Sequence, residues 1–144
     1  MPIRSARLFA ALLMLSACSV ERTPHLFPTN NAADMTGILE GHMAGKLQGT
    51  MDVSMPDGEQ VAGNYSIVPE GSVSIGFGSI LTTVYGSHGA ATRAFAFPAG
   101  GQGVAALFGP RGTTLDCEFL DSNATRHGYG ACKSSDGAIY RMMY

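Results

Sequence analysis

Between Gly37 and Met55 every odd position is apolar or glycine: Gly37, Leu39, Gly41, Met43, Gly45, Leu47, Gly49, Met51, Val53, Met55. The even positions, Ile38, Glu40, His42, Ala44, Lys46, Gln48, Thr50, Asp52 and Ser54, are mostly polar. Strict alternation predicts strand with one buried and one wet face. The same glycines recur four apart and could mark a stripe on a helix. An exposed helix would lose ~1 kcal/mol at each internal glycine. A membrane helix would have to bury Glu40, His42, Lys46 and Asp52. Strand is the reading adopted, as two strands bent at Ala44-Gly45 or one long coiled strand. Inward glycines suit a strongly coiled sheet in which opposing large side chains fill the space.

The pattern continues downstream. Pro56-Asp57-Gly58 is a turn in which proline presets φ and glycine supplies the positive φ that closes a hairpin. Residues 59–68 return as a strand, with Val61, Gly63, Tyr65 and Ile67 on one side. After Pro69-Glu70-Gly71, residues Val73, Ile75, Phe77, Leu81 and Tyr85 share a parity. They predict two strands bent at Gly76 and Gly78. Residues 91–97 predict a shorter strand carrying Phe95 and Phe97, stopped by Pro98 and by a Gly100-Gly101-Gln102-Gly103 turn. Val104 to Phe108 reads equally as strand or one helical turn. Leu115, Cys117 and Phe119 share the inward face of a later strand, with Asp116 and Glu118 opposite. A last hairpin turns at Ser135-Asp136-Gly137 and ends in Ile139 to Tyr144. Together these elements predict an all-β domain over residues 36–144, a small antiparallel barrel or sandwich of about seven to eight strands.

The leading segment has a different character. Arg4 and Arg7 precede an apolar run, Leu8 to Leu15, too short for a permanent bilayer span. It ends in Leu15-Ser16-Ala17-Cys18. These residues resemble the lipobox of bacterial lipoproteins, a branched apolar residue and two small residues before an obligatory cysteine. The resemblance implies a signal peptide over residues 1–17, cleavage before Cys18, and lipidation of Cys18 with palmitate-type acyl chains. Several acyl chains, at roughly 0.8 kcal/mol per buried methylene, hold a protein to a membrane almost irreversibly. Ser19 follows Cys18 in place of the aspartate associated with inner-membrane retention, so the implied destination is the outer membrane. Residues 18–35, with little periodicity, are expected to be a lipidated flexible tether with a reach of ~20–25 Å.

Without its leader the chain keeps 127 of 144 residues, enough for one domain with a real core. Removing Arg4 and Arg7 leaves seven basic against eleven acidic residues, a net of −4 with no basic cluster. That argues against nucleic acid as a partner and against a patch for anionic membranes. All 19 glycines lie beyond the leader, which favours short strands and tight turns over helices.

The final hairpin repeats the first. Shifted by 79 positions, Gly49 falls on Gly128, Asp57-Gly58 on Asp136-Gly137, Val61 on Tyr140 and Tyr65 on Tyr144. Both copies resemble the strand–turn–strand hairpin of MORN repeats, here separated instead of in tandem. Turn geometry alone also brings Asp-Gly hairpins to a common form.

Candidate chemistry is sparse. Cys117 and Cys132 are the only cysteines beyond Cys18, and an even pair in an exported protein predicts a disulfide. A loop of about fifteen residues closed this way stabilises by roughly 3 kcal/mol in the chain-entropy model. No CxxC accompanies them, and His127 is the one nearby extra ligand for a metal or redox alternative. His25, His42, His88 and His127 follow no HxxxH or HExxH spacing, so no metal is predicted. Asp116 and Glu118 could mimic an acid pair, although an alternating wet face places them equally well. No nucleophile elbow or phosphate-cradling loop occurs, so neither catalytic residues nor a cofactor are predicted. Tyr129 and Tyr144, near a turn and a terminus, are candidate exposed contact residues.

The leading functional expectation is a lipid-anchored envelope protein with a non-enzymatic binding or scaffolding role. Its partners would be the membrane, through Cys18, and another envelope protein. A second expectation is an inhibitor of an envelope-degrading enzyme. Small lipid-anchored β domains that block c-type lysozyme carry an S-G-x-x-Y loop, and Ser135-Asp136-Gly137-Ala138-Ile139-Tyr140 resembles it with one residue inserted.

Overall fold

The structure, a computed structural model, describes residues 19–69, 78–86, 100–122 and 124–144. Its strands are β1 (Glu21–Arg22), β2 (His25–Pro28), β3 (Leu39–Gly45), β4 (Gln48–Ser54), β5 (Gln60–Pro69), β6 (Gly100–Phe108), β7 (Thr114–Ser122), β8 (Gly128–Ser134) and β9 (Ile139–Met143). A short helix, α1 (Asn31–Asp34), follows β2, and residues 79–86 form a second helix, α2. Strands β3 to β9 pair antiparallel in chain order, and β2 joins β9 back to β3. The result is a closed eight-stranded antiparallel barrel, with β1 as one extra strand on β3. Closure leaves the barrel without an unpaired edge.

The alternation seen in the sequence faces the barrel axis. Leu39, Gly41, Met43, Met51, Val53, Val61, Tyr65 and Ile67 are buried while their even neighbours reach the outside. The alternating segment between Gly37 and Met55 is two strands, with Gly45 paired to Gly49 across a tight hairpin. An odd number of residues between those glycines keeps the odd face inward on both strands. On β8 and β9 the inward set moves to even numbers, with Cys132, Tyr140 and Met142. Cys117 and Cys132 lie directly opposite in the β7–β8 register and are joined by a disulfide.

Three expectations are corrected. Residues 19–35 are not a flexible tether, because β1 and β2 pair into the sheet and α1 packs on its end. Leu26 and Ala33 are fully buried, and β2 is the stave that closes the sheet. Proline and short length hid this strand: Pro24 interrupts the pairing with β3, yet its carbonyl still accepts from Gly41 N at 2.8 Å. Gly100-Gly101-Gln102-Gly103 is not a turn but the start of β6, with Gly101 and Gly103 inward. Glycine there makes room for a neighbour. A Cβ on Gly103 would overlap the Phe119 ring, and one on Gly101 would reach Ile67 Cγ2 at 2.5 Å. Val104 to Phe108 completes the same strand. The predicted second strand within residues 73–85 is instead helical over 79–86; residues 70–77, and the strand predicted over 91–97, lie outside the described residues. Leu81 and Tyr85 are four apart, a spacing that satisfies the strand period and the helix period alike.

Three hairpin turns share one end of the barrel, and they are built the same way. Met55 N bonds to Glu59 O and Gly58 N to Met55 O; Gly109 N bonds to Thr113 O and Gly112 N to Gly109 O. Ser134 N bonds to Ala138 O and Gly137 N to Ser134 O. Gly58, Gly112 and Gly137 take φ of +83°, +90° and +90°, the left-handed residue of a three-residue hairpin loop. Asp57 and Asp136 each accept from the backbone N–H two residues on, at 3.0 Å. The repeat read at a spacing of 79 is thus real as turn chemistry. A third turn without aspartate has the same form, and all three belong to one closed barrel rather than a repeat array. Helix α1 covers this end, with Ala33 buried and Thr36 Oγ1 3.1 Å from the Tyr140 hydroxyl.

Helix α2 packs on the outer wall over β7 and β8. It is fastened there by Glu118, which points outward yet is buried. Its carboxylate accepts from Ile80 N (2.8 Å), Leu81 N (3.0 Å) and Ser79 Oγ (3.1 Å), meeting orphan donors of the first helical turn. Tyr85 donates to Gly130 O at 3.2 Å and meets Tyr129 edge-on at 5.9 Å. Glu118→Ala should therefore release α2 rather than open the barrel, at a cost of about 1–2 kcal/mol, as for a lost cap. Hydrogen exchange should accelerate at residues 80–85 and stay slow in β3–β5.

Candidate functional site

Three carboxylates are buried among the described residues, and comparing their partners shows which one is unusual. Glu59, at the turn end, accepts from Arg111 N at 2.7 Å and from the Thr113 hydroxyl, with Arg111 Nε at 3.7 Å. It clamps the β4–β5 turn to the β6–β7 turn. Glu118 caps α2. Asp121, on the inward parity of β7, is fully buried at the opposite end of the barrel. There it receives one hydrogen bond, from the Tyr144 hydroxyl to Oδ1 at 2.8 Å, while its Oδ2 has no partner.

The balancing charge is Arg22, whose side chain enters the barrel from β1 and is 7% exposed. Its Nη2 stands 3.5 Å from Asp121 Oδ1, and its Cζ lies 5.7 Å from the Tyr144 ring centroid. Arg22 Nε and Nη1 and the Tyr65 hydroxyl have no hydrogen-bond partner. A buried ion pair is stabilising only when such remaining groups are met. Phe119 closes it from below, edge-on to Tyr65 at 6.4 Å and to Tyr144 at 6.1 Å.

Burial pushes the Tyr144 phenol far above its ordinary range, and the neighbouring Asp121 charge pushes it further, against a smaller opposing pull from Arg22. Burial likewise raises Tyr65, partly offset by Arg22, and raises Tyr140, partly offset by Thr36. Held neutral in this way, the Tyr144 phenol is the hydrogen-bond donor to Asp121.

Above it the barrel end opens in a cleft of about 510 Å³ lined by Ser19, Val20, Thr23, Arg126, His127 and Tyr144, with Glu21 and Arg22 at its wall. Arg126 has φ +60°, and it is the only non-glycine with positive φ among the described residues. Its N–H bonds to Ser122 O at 2.8 Å, and His127 Nδ1 lies 3.2 Å from Tyr144 O.

The sequence-predicted candidates are scattered. His42 lies on the outer wall, 3.6 Å from Asp52 and 4.0 Å from Glu21, and His25 lies 3.8 Å from Glu40. Among the described residues no three His, Cys, Asp or Glu side chains are grouped to hold a metal ion. His88 and Cys18 lie outside the described residues. Asp116 is exposed while Glu118 is spent on α2, so the two do not work as an acid pair. Tyr129 and Tyr144 are not exposed contacts: one packs under Tyr85 and the other reaches into the Asp121 cluster. The cluster itself was missed. Its signal was Asp121, which continues the inward series Leu115, Cys117, Phe119. No family model, curated protein or solved structure matches this chain.

Proposed function

We propose that this is a lipid-anchored protein of the outer membrane that binds or scaffolds another envelope component without catalysis. The anchor reading rests on Leu15-Ser16-Ala17-Cys18 and is supported by the disulfide, a bond suited to an exported protein. The observation that carries the non-catalytic part is the filled interior. Met43, Met51, Leu107, Leu115, Phe119, Tyr140 and Met142 occupy the barrel and are fully buried. Eight strands enclose just enough width for side chains to fill, so recognition falls to the outer surface.

An inhibitor role has less support. The tyrosine of its resembling loop, Tyr140, is fully buried and engaged with Thr36, leaving Ser135 to make contact without it. Metabolic labelling with radioactive palmitate tests the anchor: Cys18→Ala should accumulate as unlabelled precursor, and equal label would overturn it. Capture of the labelled protein from detergent-solubilised envelope then separates the two roles, a resident envelope protein supporting scaffolding and a lysozyme supporting inhibition.

A further inference from the structure

The chain enters the barrel almost at once after Cys18. Val20 O already accepts from Gly45 N at 3.0 Å, and Glu21 pairs with Ala44. Only Ser19 separates Cys18 in the chain from that first bond. If Cys18 is acylated, no tether remains to let the domain hover. The barrel end that holds Val20 is then kept within reach of the headgroups, while the tilt of the barrel is left to its surface.

That end is suited to such a surface. The β3–β4 hairpin presents exposed Lys46 and, beside it, Leu47, which is 40% exposed. The β7–β8 connection presents exposed Arg126 and His127. Of the acidic groups at this end, Asp121 is buried against Arg22 and Tyr144, while Glu21 is exposed at the cleft wall, 4.0 Å from His42. The opposite end carries exposed Asp34, Asp57 and Asp136. Its Arg111 is engaged by Asp57 at 2.8 Å and by Glu59, and Lys133 stands opposite Asp116 in register. Among the described residues, then, the fold brings Lys46 and Arg126, far apart in sequence, to the Cys18 end against Glu21, while Asp34 and Asp136 stand without an ion pair at the far end. The left-handed backbone of Arg126 costs on the order of 1 kcal/mol, an outlier confined to this rim.

We propose that this end docks on an anionic phospholipid surface. Lys46 and Arg126 meet headgroup phosphates, and Leu47 enters the headgroup boundary as an apolar side chain beside a basic one. The barrel then stands end-on, with Met35 and Ile38 pointing away from the bilayer. This rests on the anchored reading, and the experiment keeps the two apart.

The mature lipoprotein is reconstituted into phosphatidylglycerol/phosphatidylcholine vesicles with a headgroup quencher, carrying one fluorophore through Leu47→Cys or, separately, Ile38→Cys. The Leu47 probe should be quenched several-fold more than the Ile38 probe. The contrast should shrink in pure phosphatidylcholine and at high salt. Each basic residue near an anionic surface is worth about 5-fold in partitioning. Lys46→Glu with Arg126→Glu should therefore bring the two probes close to equal quenching. Equal quenching in the unsubstituted protein, stronger quenching at Ile38, or no response to charge reversal overturns the docking surface. The mass of Cys18, read on the same preparation, reports the anchor. Acyl mass without the contrast defeats docking alone, whereas the contrast without acyl mass keeps the surface and removes the anchor.

Discussion

Replacing Gly103 by valine should destabilise the barrel by ~3 kcal/mol, at the upper end for an overpacked interior. Gly103 and Gly130 flank Phe119 in register, one on each neighbouring strand. A Cβ at Gly103 would overlap the ring itself, and one at Gly130 would meet Phe119 Cβ and the Glu118 carbonyl. The ring has little room to yield, because Tyr65 and Tyr144 stand edge-on to it from other strands. The measurement is urea unfolding of Gly103→Ala, Gly103→Val and Phe119→Leu, together with the Gly103→Ala/Phe119→Leu pair. Residues in direct contact couple by about 0.5–3 kcal/mol. The double variant should therefore be more stable than the two single losses predict. Strict additivity would mean that the ring does not occupy the space that glycine leaves, and the steric account of these inward glycines would fall with it.

What the sequence discloses and what it conceals follow one rule. Alternation is legible where each strand has one face on the barrel axis and the other in water, as from Leu39 to Ile67. It blurs where both faces are covered: β7 is buried on both from Cys117 to Ser122, because α2 lies over its outer side. Glycine gives two opposite signals. At Gly58 and Gly137 it marks turns, at Gly101 and Gly103 it marks the tightest part of the interior, and composition does not separate these uses. The β2 stave escaped notice because His25, Leu26, Phe27 and Pro28 are too few and too proline-rich to show a period. The buried ion pair was harder still. Asp121 could be read as inward from the series before it, but nothing local to Arg22 shows that β1 turns its guanidinium into the same space.

The second large effect is expected at that pair. Asp121→Ala leaves Arg22 buried and without its counter-charge, a change that typically costs about 3–5 kcal/mol. Arg22→Met combined with Asp121→Leu replaces both charges with apolar volume and should lie near the parent in stability, since a buried pair contributes little net. The buried phenols add a pH dependence whose sign is fixed. Tyr65, Tyr140 and Tyr144 all ionise less readily folded than at the ordinary value of 10.0. Between that value and the raised ones the unfolded chain has released protons that the barrel retains, so stability falls as pH rises above 10 and is unaffected by these groups below it. Phenolate absorbance from these three should accordingly appear together with loss of the β-sheet circular dichroism signal. In the Arg22→Met/Asp121→Leu variant Tyr144 loses the Asp121 charge and hydrogen bond that help to hold its proton, while its burial remains. Its ionisation should stay coupled to unfolding but begin at lower pH. Smooth titration of all five tyrosines in an intact barrel would show that the phenols at this end are open to water, and that the Arg22–Asp121 pair is solvated rather than enclosed.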